Sequence, residues 1–308
     1  MLPMNKKTLN LYNNDTVKWE HDGKLYCLHI QKDDEPLNPR KDWDNPGTLM
    51  ACWDSRYRLG DEVADKQPED FWQRLVRENV PGSEILEAAR TGRLTGVRLA
   101  RGSEDAGLVD IYETSYEMTA LGNLKAKEYL EYEGIGQDEV ADYLLSDLTI
   151  GHCMVLLEPY AVWRNLWLYD HSGITMSCGT GNPFDCQWDS GQVGWIITTR
   201  DGAIKEIGYG ENDWRERSLA LMEAEVKDYD KYLTGDVYGF TLYKADPLEN
   251  TDDDPDLEES DSCWGFFGAD ILENGIEDHV GCGLREAIEA GAYETGEAKL
   301  HTYSYYSF

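Results

Sequence analysis

Positive charge is what this sequence has least of. Its 28 Lys and Arg stand against 60 Asp and Glu, a net charge of −32. A nucleic-acid backbone is gripped by cations, so direct binding of DNA or RNA is not expected. Long apolar runs are missing too. None approaches the ~18 residues that mark a bilayer-spanning helix, which argues against a membrane protein. The opening stretch MLPMNKKTLNLYNNDTVKW lacks the apolar centre of a signal peptide. These absences lead to the expectation of a soluble, cytoplasmic protein.

Cysteine is present but unpatterned. The seven Cys are an odd number and contain no C-x-x-C pair. A disulfide framework and a zinc ribbon are both unexpected, and the Cys are read as reduced and packed. The six His include no pair at helical i,i+4 spacing. The acidic run 252–256 lacks the glycine and terminal glutamate of an EF-hand. A P-loop is absent, and GCGLREA (281–287) offers only two glycines without a clear preceding strand. No metal and no cofactor are expected.

Aromatic residues are plentiful. Ten Trp and 19 Tyr argue for a folded chain despite a hydrophobic share of 41%. The charge is unevenly spread. Residues 1–60 balance nine acids with nine bases, whereas residues 245–308 hold 17 acids and two bases. That asymmetry suits a basic protein surface as partner, with carboxylates standing in for phosphates. Simple solubility or a salt-adapted host is the plainer alternative, although 14 Lys speak against strong salt adaptation.

Periodicity gives a coarse map. Residues 17–31 read as a hairpin about Asp22-Gly23. PEDFWQRLVREN (68–79) and GSEILEAARTGRL (82–94) read as helices, the second with Ser83 as N-cap. GVRLARG and GLVDIYETSYEM read as strands, and LKAKEYLEYEG and QDEVADYLLSDL as helices. HCMVLLEPY (152–160) reads as a buried strand, and NLWLYDHSGITMSC as two strands around His171-Ser172-Gly173. QVGWIITTRDGAIKEIG reads as a strand, a turn at Asp201-Gly202 and a returning strand. Residues 212–230 carry an apolar stripe of Trp214, Leu221, Met222, Val226 and Tyr229, capped by Asn212 or Asp213. DVYGFTLYKAD is a strand, NTDDDPDLEESD a solvated acidic loop and HVGCGLREAIEAGAYE a last helix. The aromatic tail KLHTYSYYSF is read as an edge strand or a docked segment.

Strands outnumber helices and mostly follow one another directly. The expected class is α+β, a mainly antiparallel sheet with packed helices and a mixed insertion lobe. Its parts would be an N-terminal piece of the core (1–62), an insertion or second lobe (63–150) and a main core (151–308) with an acidic loop at 245–262 and a C-terminal helix.

Two turns attract a chemical reading. WDSGQVG (188–194) places Ser190 before Gly191, yet a nucleophile elbow needs a glycine two residues earlier and a following helix. It reads better as a turn, with Trp188 and Trp195 packed. YDHSG places His171 between Asp170 and Ser172, but neighbours on a strand point to opposite faces. An enzyme of hydrolase type would need Asp170, His171, Asp189 and Ser190 to meet in a cleft. The competing site is acidic. Carboxylates at i and i+3 or i+4 on a helix lie ~5–6 Å apart. Glu128, Glu131, Glu225 and Asp228 could form such an array, extended by Asp252, Asp253, Asp254, Asp256, Glu258, Glu259 and Asp261.

Five phrases occur together: WDNPGTLMACWDSRYRLGDE (43–62), LWLYDHSGITMSC (166–178), CQWDSGQVGWI (186–196), YLTGDVYGFTLY (232–243) and DSCWGFFG (261–268). In these the chain resembles a family of uncharacterised proteins encoded by bacteriophages and other mobile elements. The likeness covers the chain to about residue 62 and again from about 151 to 268, skipping 63–150. Asp54 stands where the resemblance leads one to expect His, which weakens any scheme that needs His there. The resemblance implies an accessory role against host defence.

Three readings follow. The first is an acidic anti-defence inhibitor of anti-CRISPR or anti-restriction type, a DNA mimic that binds a basic host defence protein or nucleoprotein complex in the host cytoplasm. The second is the small hydrolase-like enzyme. The third is a homo-oligomeric structural or assembly protein.

Overall fold

The computed structural model describes residues 16–101, 109–113, 137–186, 188–245 and 257–296. It is an α+β fold with antiparallel strand pairing. The chain divides into two compact units. The first holds residues 1–43, 169–177 and 225–308, and the second holds 44–168 and 178–224. The segment 63–150, expected as an insertion or lobe of its own, lies in the second unit together with 44–62, 151–168 and 178–224.

The first unit is built on five strands: β1 (Thr16–His21), β2 (Lys24–Lys32), β9 (Val237–Ala245), β10 (Glu258–Phe267) and β11 (Glu294–Gly296), in the order β10-β9-β2-β1-β11. The β1–β2 turn is Asp22-Gly23, both at positive φ, as a two-residue hairpin with the right twist requires. Alternation then sorts the side chains. Val17, Trp19, Leu28, Ile30, Tyr238, Phe240 and Leu242 face one way. They form a core with Ile276 and Val280 of a short helix (Ile276–Val280) and with Leu284 and Ile288 of the next (Leu284–Ala290). Three residues at positive φ, Gly281, Cys282 and Gly283, reverse the chain between these helices. The Trp19 indole N–H donates to the Cys282 carbonyl at 2.8 Å and ties that reversal to the sheet.

The second unit packs helices against strands. Its helices are α1 (Pro68–Asn79), α2 (Gly82–Arg90), α3 (Gln137–Ser146) and α4 (Ile150–Leu157). A four-stranded sheet runs β3-β8-β6-β7, comprising β3 (Leu49–Cys52), β8 (Ser190–Thr199), β6 (Ala161–Asp170) and β7 (Ile174–Gly179), of which residues 169–170 and 174–177 are counted in the first unit. A separate hairpin pairs β4 (Val97–Arg101) with β5 (Val109–Glu113). Phe71, Trp72, Leu75 and Val76 form the buried stripe of α1, meeting Leu144, Leu145, Leu156, Leu157, Trp195 and Ile197. Helix α5 (Trp214–Thr234) follows, with Trp214, Met222, Val226 and Tyr229 buried.

Several local expectations are corrected. Residues 152–157 are helical, not a strand. Thr149 caps the helix: its hydroxyl accepts from the His152 N–H, and the His152 ring accepts from the Thr149 N–H. The second ring nitrogen lies 2.9 Å from the Thr95 carbonyl, so Nε2 carries the proton and donates there. A continuous apolar run looks alike in a buried strand and a buried helix, and the cap decides between them. Ser83 lies inside α2, whose N-cap is Pro81. Beyond β8 the chain makes a π-helical turn at Gly202–Glu206 in place of a returning strand. Glu258 to Asp261 belong to β10 and not to a loop. Trp188 is 96% exposed, while Trp195 is buried as expected.

Candidate functional site

Four of the five phrases meet in strand pairing. WDNPGTLMACW and CQWDSGQVGWI meet as β3 and β8, with Leu49 opposite Ile197, Ala51 opposite Trp195 and Cys52 opposite Gly194. The ladder continues as Trp53 N–H donates to the Val193 carbonyl at 2.8 Å. A side chain at Gly194 would place its Cβ 2.0 Å from the Ala51 carbonyl oxygen, so this position admits only glycine. Trp53 and Trp72 then close on Trp195 edge-to-face, at 6.0 and 5.5 Å between centroids. In the same way YLTGDVYGFTLY and DSCWGFFG meet as β9 and β10, with Trp264 opposite Gly239. Asp54, at the position where His was expected, accepts from the backbone N–H groups of Arg56 and Tyr57 at 2.7 and 2.9 Å. It holds a turn.

Of the four residues of the enzyme reading, Asp170 and His171 fall in the first unit and Asp189 and Ser190 in the second. Ser190 spends its one hydroxyl proton on the Cys186 carbonyl and accepts from Asn182 Nδ2 at 2.9 Å. Asp189 accepts from the Cys186 thiol at 3.3 Å. A serine nucleophile must give its proton to a base, and this one gives it to a backbone oxygen. His171 closes a hairpin tip, where its N–H donates to the Gly173 carbonyl and Ser172 adopts a positive φ of 60°. No group of three or more His, Cys, Asp or Glu able to hold a metal occurs among the described residues.

The acidic residues separate into three sets. Glu128, Glu131, Asp252, Asp253, Asp254 and Asp256 lie outside the described residues. Glu225 and Asp228 are engaged in ion pairs on helix α5. Glu225 is paired at 2.7 Å with Arg40, whose side chain is 1% exposed, and Asp228 is paired at 3.0 Å with Lys231. Glu258, Glu259 and Asp261 stand exposed on β10. Lys244 sits across from Glu258 in the strand register, and His279 lies 3.6 Å from Asp261. Glu259 faces Tyr243, whose phenol is pushed up by burial and by that carboxylate.

Charge pairing is general in this chain. Arg74 holds Asp65 and Glu78, Arg77 holds Asp142, Arg164 holds Glu223, Arg200 holds Glu211, Arg217 holds Asp213 and Arg285 holds Glu277. What sequence reasoning missed is the exposed aromatic set of Trp43, Trp188 and Trp264, which composition alone assigns to the core. A tryptophan opposite a glycine was the available signal for Trp264. No helix is long and apolar enough to cross a membrane among the described residues. No family model, curated protein or solved structure matches the chain.

Proposed function

We propose that this chain is a phage or mobile-element accessory protein that captures a basic, nucleic-acid-binding host defence complex, its carboxylates taking the place of phosphates. The observation that carries the reading is the disposition of the cations. Among the described residues, seven arginines are drawn into intramolecular ion pairs: Arg40, Arg74, Arg77, Arg164, Arg200, Arg217 and Arg285. With 60 acids to 28 bases, a surplus of carboxylates is left to meet a partner. A field of one sign steers an oppositely charged surface into encounter. Exposed tryptophans supply the desolvated anchors that most protein interfaces rest on. The Ser190 hydrogen bonds favour this reading over hydrolysis.

The test is capture of host proteins on the tagged chain at about 0.05 and 0.5 M NaCl, with duplex DNA as competitor. The expected result is retention of a nucleic-acid-binding nuclease or its subunits at low salt, released by high salt and by DNA. Capture that ignores both salt and DNA, or no capture at all, overturns the proposal.

A further inference from the structure

Among the described residues β10 ends its sheet, in the order β10-β9-β2-β1-β11. An edge strand turns a row of backbone N–H and C=O groups away from its neighbour, a ready template for one more strand. This edge is ten residues long and largely exposed. Its register with β9 shifts twice, between Glu259 and Asp261 and between Trp264 and Phe266. The second bulge holds Gly265 at a φ of 89° and inverts the alternation. Cys263 and Phe266 thereby both reach the helix-covered core. Glu259, Trp264 and Phe267, opposite Tyr243, Gly239 and Val237, share the other face.

On that face Trp264 lies across Gly239, where a Cβ would fall 1.9 Å from its ring, and it remains 48% exposed. Trp43, 40% exposed, meets Phe267 edge-on at 5.0 Å. An aromatic platform thus adjoins a strand edge that pairs with no further strand among the described residues and begins with Glu258, Glu259 and Asp261. Carboxylates and bulges on an edge discourage pairing with a like strand. A second copy of a chain at −32 meets that repulsion in full. The same carboxylates attract a strand of opposite charge, and an aromatic face accepts the stems and heads of Lys and Arg.

We propose that β10 receives an extended basic segment of a partner polypeptide as an added strand, with Lys or Arg side chains on one of its faces meeting Glu259 and lying over Trp264, while Glu258 and Asp261 on the other face add to the local negative field. This rests on the reading of the chain as an acidic captor of a basic partner, and it specifies how that partner is held.

The probe is a fluorescent decapeptide alternating Lys and Thr, compared with the same peptide N-methylated at every backbone amide. Both carry the same charge, and only the first can donate strand hydrogen bonds. The intact chain is titrated with each, and hydrogen exchange is followed at the β10 amides. The expected result is binding of the parent peptide, weaker by about tenfold or more on N-methylation, since losing one or two hydrogen bonds reaches that factor. The β10 amides exchange more slowly when the parent peptide is bound. Glu258→Lys with Glu259→Lys, two exposed changes, weakens the parent peptide as well. Equal, salt-sensitive binding of both peptides overturns strand addition and leaves the electrostatic reading standing. No binding of either peptide overturns strand addition, and the lysate capture then judges the broader reading by itself. Protection of β10 in a concentration-dependent dimer overturns it in favour of self-pairing.

Discussion

Arg40 and Glu225 show what a single pair does in a chain so rich in acid. Their side chains are 1% and 15% exposed and lie 2.7 Å apart. Arg40→Met strands a buried carboxylate without this cation. The expected cost is about 3–5 kcal/mol, seen as a lower urea midpoint, whereas Arg40→Met with Glu225→Leu costs far less. Cys153 gives a second residue-scale test. Burial pushes its thiol up from the usual 9.0 to about 12. The neutral thiol is therefore favoured in the folded state. Its stabilisation is complete below pH 9 and is lost as pH rises toward about 12, because the unfolded chain ionises first. Urea midpoints measured from about pH 8 to about pH 11 fall, and Cys153→Ala makes the fall shallower. Cys27 shifts in the same direction by burial, so part of the slope remains in that variant.

Elements in this protein are set by their ends as much as by their middles. Helix α4 has the apolar content of a core strand, IGHCMVLL, and is decided by the reciprocal bonds between Thr149 and His152. Thr149→Ala removes the oxygen that accepts the His152 N–H. A cap lost in this way costs about 1 kcal/mol, within a range of roughly 0.5–2, measurable by urea denaturation. Thr149→Ser retains most of it. Strand β8 shows the same logic at a glycine. Gly194 lets the β3 backbone approach, and Trp195 beside it reaches Trp72. The segment WDSGQVGW gathers chemistry-bearing residue types because a turn, a close strand pair and a buried indole coincide there.

The whole molecule carries its charge surplus as strain. At −32, self-repulsion opposes compaction, and dissolved salt screens it. Salt also weakens the surface ion pairs, but each of these contributes only about 0–1 kcal/mol. Repulsion summed over the surplus outweighs them. Raising NaCl from about 0.01 to 0.5 M is therefore expected to raise Tm in a thermal scan, since that range spans Debye lengths from about 30 Å to under 8 Å. An unchanged or lower Tm would mean that the ion-pair network dominates.

By itself the sequence determined whatever is local or additive. Asp22-Gly23 specified a hairpin, because only some residues tolerate positive φ. The periodicities of 68–79 and 212–230 specified helices, the second running from Trp214 to Thr234 in the structure, and the composition fixed the net charge. Tertiary structure alone decided which segments pair, because pairing depends on contacts remote in sequence. It joined WDNPGTLMACW to WDSGQVGW and placed Trp264 on Gly239. It also decided which charges are spent inside the fold. Glu225 and Glu259 are the same residue type. Glu225 is held against the buried Arg40, whereas Glu259 stands exposed on β10.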